Sequence, residues 1–352
     1  MILNAYLAYA SQRSYVFDNY TWNRDGPDFF LETDGRMRIA RFPLSSMISG
    51  PIIGGDMPDK DVPRAVSREY FLDVCDNRTQ VIDTNSVWNG DGGVAEMMLR
   101  WADKLKSIDA PCVEIASWSP TLFDYKITNT ERVLDVFPDL AKSPILADLG
   151  WSPLILDCFA RNYKFFGGKT TPPELDPLVT TRTPLHGLLT LHVRRGDYEG
   201  WCREAFPHSM SFVGFNSFHE FPDSEKFRLW NTSYEDTMLH CLPDIDQIIE
   251  KVLAVVTPDS GIERIYLMTN GRYPWLGELV SALKAAGSWS VATSRDLSLS
   301  FEGKHVSQAL DMYVGQRSDR FIGNGFSSLT SNVVMLRMAN PELDGANRTY
   351  FW

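Results

Sequence analysis

The chain has 352 residues, 44% of them hydrophobic and 22% charged, which is typical of a globular protein with room for two domains. Its formal net charge of -11 argues against nucleic acid as the main partner, because a phosphate backbone is bound by a broad basic face. No stretch reaches the ~18 apolar residues that a membrane-spanning helix needs.

The first half of the chain predicts strands and helices separated by an irregular stretch. Residues 1–8 predict a helix already under way at residue 1, with Leu3 and Leu7 one turn apart, and they lack the basic leader of a signal peptide. The other features, in chain order, are a strand at 14–18, a charged stretch rich in Pro and Gly at 25–63, a strand at 112–116, and helices near 132–137 and over 153–166.

The second half predicts a clearer α/β series. Residues 167–184 contain four prolines and two glycines without an apolar period, which is typical of a linker between domains. The predicted strands are 188–193, 264–269 and 320–323, and the predicted helices are 244–256, 276–286, 307–317 and 327–338. This alternation predicts an α/β fold.

The most informative segment is the strand at residues 188–193, which ends in polar residues. Its sequence continues as His192-Val193-Arg194-Arg195-Gly196-Asp197. Ligands bind at the carboxyl ends of strands in α/β sheets, and paired guanidinium groups match the oxygens of a diphosphate. An ion pair between Arg195 and Asp197 at a strand end is the structural alternative.

A second segment, residues 318–332, predicts a short strand that turns into a helix through Gly323-Asn324-Gly325. Ser327 and Ser328 open the helix, where free backbone N–H groups and hydroxyls bind anions, although serine is also an ordinary helix cap. Asp319, just before the strand core, is a candidate for contacts with a guanine or a ribose. Both segments follow strands in the same half, so we expect one diphosphate site.

These two segments resemble motifs of a known family. Residues 192–197 resemble the H-x-R-R-x-D motif of GDP-fucose-dependent fucosyltransferases, which include protein O-fucosyltransferases and their α1,6- and α1,2-linking relatives. Residues 318–328 resemble the later D-x-F-I-G-N-x-x-S-S element of that family. Residues 266–270 (Y-L-M-T-N) resemble a weaker middle motif that usually ends in T-D.

The resemblance implies a GT-B-like α/β fold of two Rossmann-like domains with a nucleotide cleft between them. The corresponding ranges are an N-terminal acceptor-side domain at 1–166, truncated at its start, a linker at 167–185, and a GDP-sugar-binding domain at 186–352. The implied reaction is inverting transfer of fucose from GDP-fucose to a hydroxyl of a protein or glycan acceptor, with no obligatory metal. The family also implies the secretory pathway, in the endoplasmic reticulum or Golgi.

The resemblance also implies roles for individual residues. Arg194 contacts the β-phosphate and stabilises the departing GDP. The other residues expected to bind GDP-fucose are His192, Arg195, Asp197, Asp319, Asn324, Ser327 and Ser328. Glu204 matches the catalytic glutamate of α1,6-linking relatives better than Glu199 does, although a solvated loop glutamate is the structural alternative for both.

The chain departs from the family pattern at its beginning. Family members open with a strand and a glycine-rich G-G-x-x-N-like loop that approaches the nucleotide, and residue 1 here corresponds to the helix after it. The alternative function is therefore a catalytically inactive relative that binds a nucleotide or glycan. A third hypothesis is a GT-B glycosyltransferase that uses another sugar nucleotide.

The remaining signals are weaker. The five cysteines lack C-x-x-C spacing, which argues against zinc and favours buried free thiols. N-x-S/T sequons at Asn19, Asn77, Asn231 and Asn347 would be usable only in a secretory compartment. Asp244-Ile245-Asp246 mimics a metal-binding D-x-D motif, but its place at a predicted helix start favours a capping role.

Overall fold

The computed structural model describes residues 1–22, 26–31, 37–87, 93–128, 130–167, 182–205, 211–221, 233–257 and 260–352. These residues form two compact units. The N-terminal unit comprises Met1–Thr21 and Phe42–Ser152, and the C-terminal unit comprises Trp22–Arg41 and Pro153–Trp352. None of the described helices is long and apolar enough to cross a membrane.

The N-terminal unit combines helices with short strands. Its helices are α1 (Ile2–Ala10), α2 (Arg68–Cys75), α3 (Val94–Lys106), α4 (Tyr125–Thr128), α5 (Phe137–Lys142) and α6 (Pro144–Ala147), with 3-10 turns at Leu44–Ser46, Pro51–Ile53, Asp76–Arg78, Thr84–Ser86 and Glu131–Val136. Its strands are β1 (Val16–Phe17), β2 (Tyr20–Thr21), β6 (Ile48–Ser49), β7 (Val66–Ser67), β8 (Thr79–Ile82), β9 (Cys112–Ile115) and β10 (Gly150–Trp151), and β5 (Arg41–Phe42) lies at its boundary.

Among the described residues, this unit holds only two-stranded sheets, such as the parallel pairs β1–β7 and β8–β9. The continuous sheet of a second Rossmann-like domain is therefore not seen in this part of the chain. The core instead forms around α3, whose apolar side chains recur at helical spacing and include the fully buried Trp101. The predicted strands at 14–18 and 112–116 correspond to β1 and β9.

The C-terminal unit is built on a five-stranded sheet. The strands of this sheet are β11 (Leu185–Val193), β12 (Arg264–Thr269), β13 (Ser290–Thr293), β14 (Ser318–Gly323) and β15 (Thr349–Phe351). The unit also contains a separate antiparallel pair, β3 (Phe29–Leu31) and β4 (Met37–Ile39). Its helices are α7 (Pro153–Arg161), α8 (Tyr163–Phe166), α9 (Tyr198–Ala205), α10 (Tyr234–Cys241), α11 (Ile245–Val255), α12 (Trp275–Ala286), α13 (Phe301–His305), α14 (Ser307–Arg317) and α15 (Ser328–Met338), with a 3-10 turn at Gly214–Ser217.

The sheet has the strand order β13-β12-β11-β14-β15, and every neighbouring pair is parallel. Numbered along the chain, this order is 3-2-1-4-5, which is that of a Rossmann-type sheet. Strands such as β12 are buried along almost their whole length because helices cover both faces of a parallel sheet. The α/β class predicted from the sequence is confirmed.

The division between the units falls before α7, whereas the sequence placed 153–166 in the first domain. Phe159 of α7 packs edge-on against Tyr313 of α14, with 4.9 Å between the ring centroids. Phe166 of α8 packs in the same way against Tyr266 of β12, with 5.0 Å between the centroids. These aromatic contacts explain why both helices belong to the C-terminal unit. The predicted linker at 167–185 lies mostly outside the described residues, and its last residue, Leu185, begins β11.

The expectation of free thiols is wrong for four of the five cysteines. Cys75 is bonded to Cys112 in the N-terminal unit, and Cys202 is bonded to Cys241 in the C-terminal unit. Cys158 is free and buried. Each bonded pair is separated by more than 35 residues, so tertiary structure rather than local spacing brings the sulfurs together.

Candidate functional site

The two sequence segments meet at one edge of the five-stranded sheet. Strands β11 and β14 are parallel neighbours, with Leu191 opposite Ile322, so their carboxyl ends lie side by side. The chain leaves β11 towards β12 on one side, and β14 extends the sheet on the other. This reversal of strand order is the position at which open α/β sheets bind nucleotides.

Arg194 is the cation that the end of β11 presents to solvent. Its guanidinium donates to Asp197 Oδ2 at 2.9 Å and lies 5.7 Å from the centroid of the Tyr198 ring. The side chain is 32% exposed, and its two contacts leave further N–H groups for a ligand. Arg194 is therefore held loosely at the site rather than locked in the core.

Arg195 has a different environment from its neighbour. Its guanidinium donates to the Pro243 carbonyl and stacks on the face of Trp275, with 4.4 Å between the guanidinium carbon and the ring centroid. Burial lowers the pKa of Arg195 to about 10, so it remains charged at neutral pH. The side chain therefore anchors the strand end within the unit, and its contact with GDP-fucose stays a prediction.

Asn270 organises the turn between the arginines and Asp197. Its Oδ1 accepts the backbone N–H of Arg195 at 2.7 Å, and its Nδ2 donates to Asp197 Oδ1 at 3.0 Å. Asn270 was not among the site residues predicted from the sequence, although it ends the Y-L-M-T-N motif and follows directly after β12. Its position beside β11 in the sheet is the signal that identifies it.

His192 links the end of β11 to helix α15. Its Nδ1 lies 2.7 Å from Thr330 Oγ1, and Thr330 Oγ1 also accepts the backbone N–H of Asn324 at 3.2 Å. Burial, and to a lesser extent the charge of Arg194, lowers the pKa of His192 to about 3. The imidazole is thus neutral at physiological pH, and it acts as a fixed hydrogen-bonding link.

The turn from β14 into α15 is held tightly by side chains around it. Asn324 Oδ1 accepts the N–H of Phe326 at 3.0 Å, and Asn324 Nδ2 donates to the Cys241 carbonyl at 2.7 Å. A Cβ on Gly325 would lie 2.3 Å from the Phe212 ring, so only glycine permits this close approach. Asn324, which was predicted to bind substrate, uses its side chain to shape the turn.

Ser327 and Ser328 lie where helix α15 begins. Ser327 is the N-cap residue, but its side chain makes no capping hydrogen bond. The first-turn amides have no partners within the helix itself, and they carry the positive end of its dipole. The Tyr198 hydroxyl donates to the Phe326 carbonyl at 2.5 Å, which ties the segment after Arg194 to this turn.

The other two predicted residues lie apart from this group. Asp319 is near the amino end of β14, where it accepts the Gly187 N–H at 3.1 Å and pairs with Arg348. Glu204 is exposed in the last turn of α9, and Glu199 is ion-paired with Arg203 at 2.8 Å. The structure brings together His192, Arg194, Asp197, Asn324, Ser327 and Ser328, with Arg195 behind them, but it does not bring Asp319 to the same edge.

The residues of the D-x-D sequence cap a helix. Asp244 is the N-cap of α11 and forms a capping box with Gln247, in which each side chain accepts the other residue's backbone N–H. Asp246 lies in the first turn of the same helix. In the part of the chain that the structure describes, no group of three or more His, Cys, Asp or Glu could hold a metal ion.

Comparison with known proteins identifies the class to which this arrangement belongs. A sequence profile of the GDP-fucose protein O-fucosyltransferase family matches residues 154–340, more than half of the chain. The chain therefore belongs to this family of fucosyltransferases, which confirms the predicted superfamily. Among curated proteins, none matches the chain.

Solved structures give the same fold. The chain is similar to POFUT1 in complex with GDP, with a TM-score of 0.52 and 14% identity over 99% of this chain and 92% of that one. Its similarity to POFUT1 in complex with GDP-fucose has the same TM-score, identity and coverage. At this identity, the likeness shows the fold alone.

Proposed function

We propose that the protein transfers fucose from GDP-fucose to an acceptor hydroxyl, and that the edge formed by β11 and β14 binds the diphosphate. The observation that carries the proposal is the position of Arg194 and the start of α15 after neighbouring parallel strands. Family membership supports GDP-fucose as the donor. Arg194 and the amides after Ser327 supply positive charge from two directions.

Catalysis depends most on stabilising the negative charge that develops on the departing GDP. The bond between fucose C1 and the β-phosphate oxygen breaks, and its electron pair leaves with GDP. Arg194 and the α15 amides stabilise this charge, while Asp197 and Asn270 keep the guanidinium in place. His192 stays neutral, so it holds Thr330 without adding a further cation to Arg194 and Arg195.

The acceptor oxygen forms the new bond to C1 from the opposite face, which inverts the configuration. Its proton passes to a carboxylate, and Glu204 of α9 is the residue that we assign to this step. Helix α9 begins at Tyr198, directly beside the site. The acceptor is a protein or glycan hydroxyl, and in this proposal the leaving group needs no obligatory metal.

The two disulfides support a secretory location. Disulfides form and persist in oxidising compartments, and they are rare where cellular thiols stay reduced. The endoplasmic reticulum and Golgi are therefore the compartments that we assign. Non-reducing mass spectrometry of protein purified from its native source should find four of the five cysteines bonded.

Nucleotide selectivity tests the proposed function directly. Calorimetric titration with GDP and UDP should give saturable binding of GDP and weaker binding of UDP. Absence of GDP binding at millimolar nucleotide would end the proposal. Tighter binding of UDP would instead indicate a transferase for another sugar nucleotide.

The exposed position of Glu204 favours one second candidate, a relative that binds GDP without transfer. Residue 204 lies six positions along α9 from Tyr198, which separates the two backbone positions by about 9 Å at the rise of an α-helix. Incubation with GDP-fucose and a panel of protein and glycan acceptors distinguishes the two functions. Release of GDP, by transfer or slow hydrolysis, supports the enzyme, and GDP binding without any release supports the second candidate.

A further inference from the structure

The N-terminal unit contains a cavity that the proposed transfer reaction does not use. Its volume is about 790 Å³, and all of its lining residues belong to that unit. Its walls are the segment after α1, the approach to β7, helix α2 with the turn after it, and the segment between α3 and β9. The volume lies in the range of small-molecule sites, roughly 300–1,000 Å³.

Two sets of cross-links join the walls of this cavity and fix their positions. The Cys75–Cys112 disulfide joins α2 to the start of β9. Arg13 donates to the carbonyls of Leu105 and Ala110 at 3.0 Å each, and to that of Ile108, which joins the segment after α1 to the segment after α3. A cavity with such walls does not need to be ordered by its ligand, which favours binding.

Gln12, in the cavity wall formed by the segment after α1, has an unfavourable backbone conformation. Helix α1 ends with N–H bonds from Gln12 to the Tyr9 carbonyl and from Arg13 to the Ala8 carbonyl, the pattern of a Schellman motif. Gln12 takes the left-handed position of that motif, with a φ of 57°, where glycine is the usual residue. The chain therefore keeps a side-chain amide at the cavity despite its conformational cost.

The lining combines apolar side chains with a basic rim, the name that we give to the exposed residues Arg78 and Lys106. Val16, Val66, Val74, Pro111 and Val113 contribute the apolar part. Arg78 and Lys106 contribute exposed cations, against a single carboxylate from Asp109. This local excess of positive charge stands out in a chain whose net charge is -11.

We propose that the cavity binds an organic anion, with its charged group at Arg78 and Lys106 and an aryl or acyl body against the valines. The Gln12 amide adds a polar contact at the same opening. The site is independent of the proposed transferase function because none of its residues belongs to the edge formed by β11 and β14.

The dye 1-anilinonaphthalene-8-sulfonate is a suitable probe because it joins a sulfonate to an aromatic body. Fluorescence titration of the folded protein should show saturable binding of one dye per chain. The variant Arg78→Ala/Lys106→Ala should bind the dye about tenfold more weakly, since each exposed charge contributes a modest share. Val74→Trp should abolish binding by filling the cavity.

A neutral analogue and a matched variant serve as controls. N-phenyl-1-naphthylamine lacks the sulfonate, so Arg78→Ala/Lys106→Ala should leave its affinity unchanged. Arg100→Ala/Lys104→Ala removes two cations of α3 that do not line the cavity, and it should bind the dye like the wild type. Cooperative thermal unfolding of each variant verifies that the dye meets folded protein.

Several results would overturn the inference. Binding that does not saturate, or that survives Val74→Trp, would place the dye elsewhere. Equal losses for the two double variants would show that net charge, and not this rim, attracts the probe. For Gln12→Gly we expect higher thermal stability with weaker dye binding, and unchanged dye affinity would remove Gln12 from the site.

Discussion

Replacing Arg194 by alanine should weaken GDP binding while leaving the fold intact. The guanidinium is 32% exposed, and its contacts are the ion pair with Asp197 and the ring of Tyr198. A charge-assisted hydrogen bond contributes about 1.5–3 kcal/mol. Because Arg194 must share its donors with Asp197, we expect the lower end, about 1.5 kcal/mol, or roughly a tenfold rise in Kd. Calorimetric titration with GDP at fixed, low ionic strength measures it.

Two further variants make this prediction specific. Arg203→Ala removes an exposed cation of α9 that pairs with Glu199, so it changes the net charge equally and should leave GDP affinity unchanged. Arg194→Lys keeps the charge but loses the planar fork, and it should bind with intermediate affinity. Wild-type GDP affinity in a folded Arg194→Ala variant would refute the role of this residue, and equal weakening in Arg203→Ala would reduce that role to general electrostatics.

Three other predictions follow from buried contacts of the same unit. Arg195→Ala removes the contacts with the Pro243 carbonyl and the Trp275 ring. Chemical denaturation should therefore show a loss of about 2–4 kcal/mol in the free energy of unfolding. A loss below about 0.5 kcal/mol would contradict the anchoring role. The pKa of His192 is about 3 when folded and about 6.5 when unfolded, so between these values the unfolded state binds the extra proton and the free energy of unfolding decreases as the pH is lowered. The loss should reach about 2 kcal/mol at pH 5. Urea denaturation at pH 7 and pH 5 should show this loss, reduced in His192→Gln, and an equal pH dependence in both proteins would contradict it. Cys202→Ser/Cys241→Ser removes a disulfide that spans 39 residues and should lower the free energy of unfolding by up to about 4 kcal/mol. It should also weaken GDP binding, because the Cys241 carbonyl holds Asn324. Wild-type stability in thermal unfolding together with wild-type GDP affinity in titration would contradict this link between the disulfide and the site.

The elements of the C-terminal half were predictable because their local signals are strong. Strand β12 occupies the predicted residues 264–269, and helix α14 the predicted 307–317. Buried parallel strands consist of continuous apolar runs, which stand out against amphipathic helices. In the sheet, β11 and β14 are adjacent strands, and this strand order brings the two motifs to one edge.

Long-range contacts explain what could not be predicted. Several strands of the N-terminal unit have only two residues, too few for a periodic pattern. Residues 22–41 belong to the C-terminal unit, where Arg38 is 1% exposed and donates to the Lys304 carbonyl and to Ser307 Oγ at 3.1 Å. A charged residue in a polar stretch ordinarily indicates exposed chain.

The site was predicted as a set of residue types, and their individual roles depend on tertiary structure. The sequence does not show that Arg194 faces solvent while Arg195 stacks on Trp275, because Trp275 is 80 residues away along the chain. The same holds for Asn324, which meets the Cys241 carbonyl through a disulfide-linked helix. The GDP-binding role of Asp319 stays a prediction, and its contacts with Gly187 and Arg348 give it a structural role.

A crystal structure of the protein with GDP tests the central claim most directly. We predict density for the diphosphate with oxygens within hydrogen-bonding distance of an Arg194 Nη atom and of the backbone N–H of Ser328 or Leu329, since the Ser327 N–H donates to the Asn324 carbonyl. A diphosphate bound away from this edge, or one that touches neither Arg194 nor the start of α15, would contradict the account.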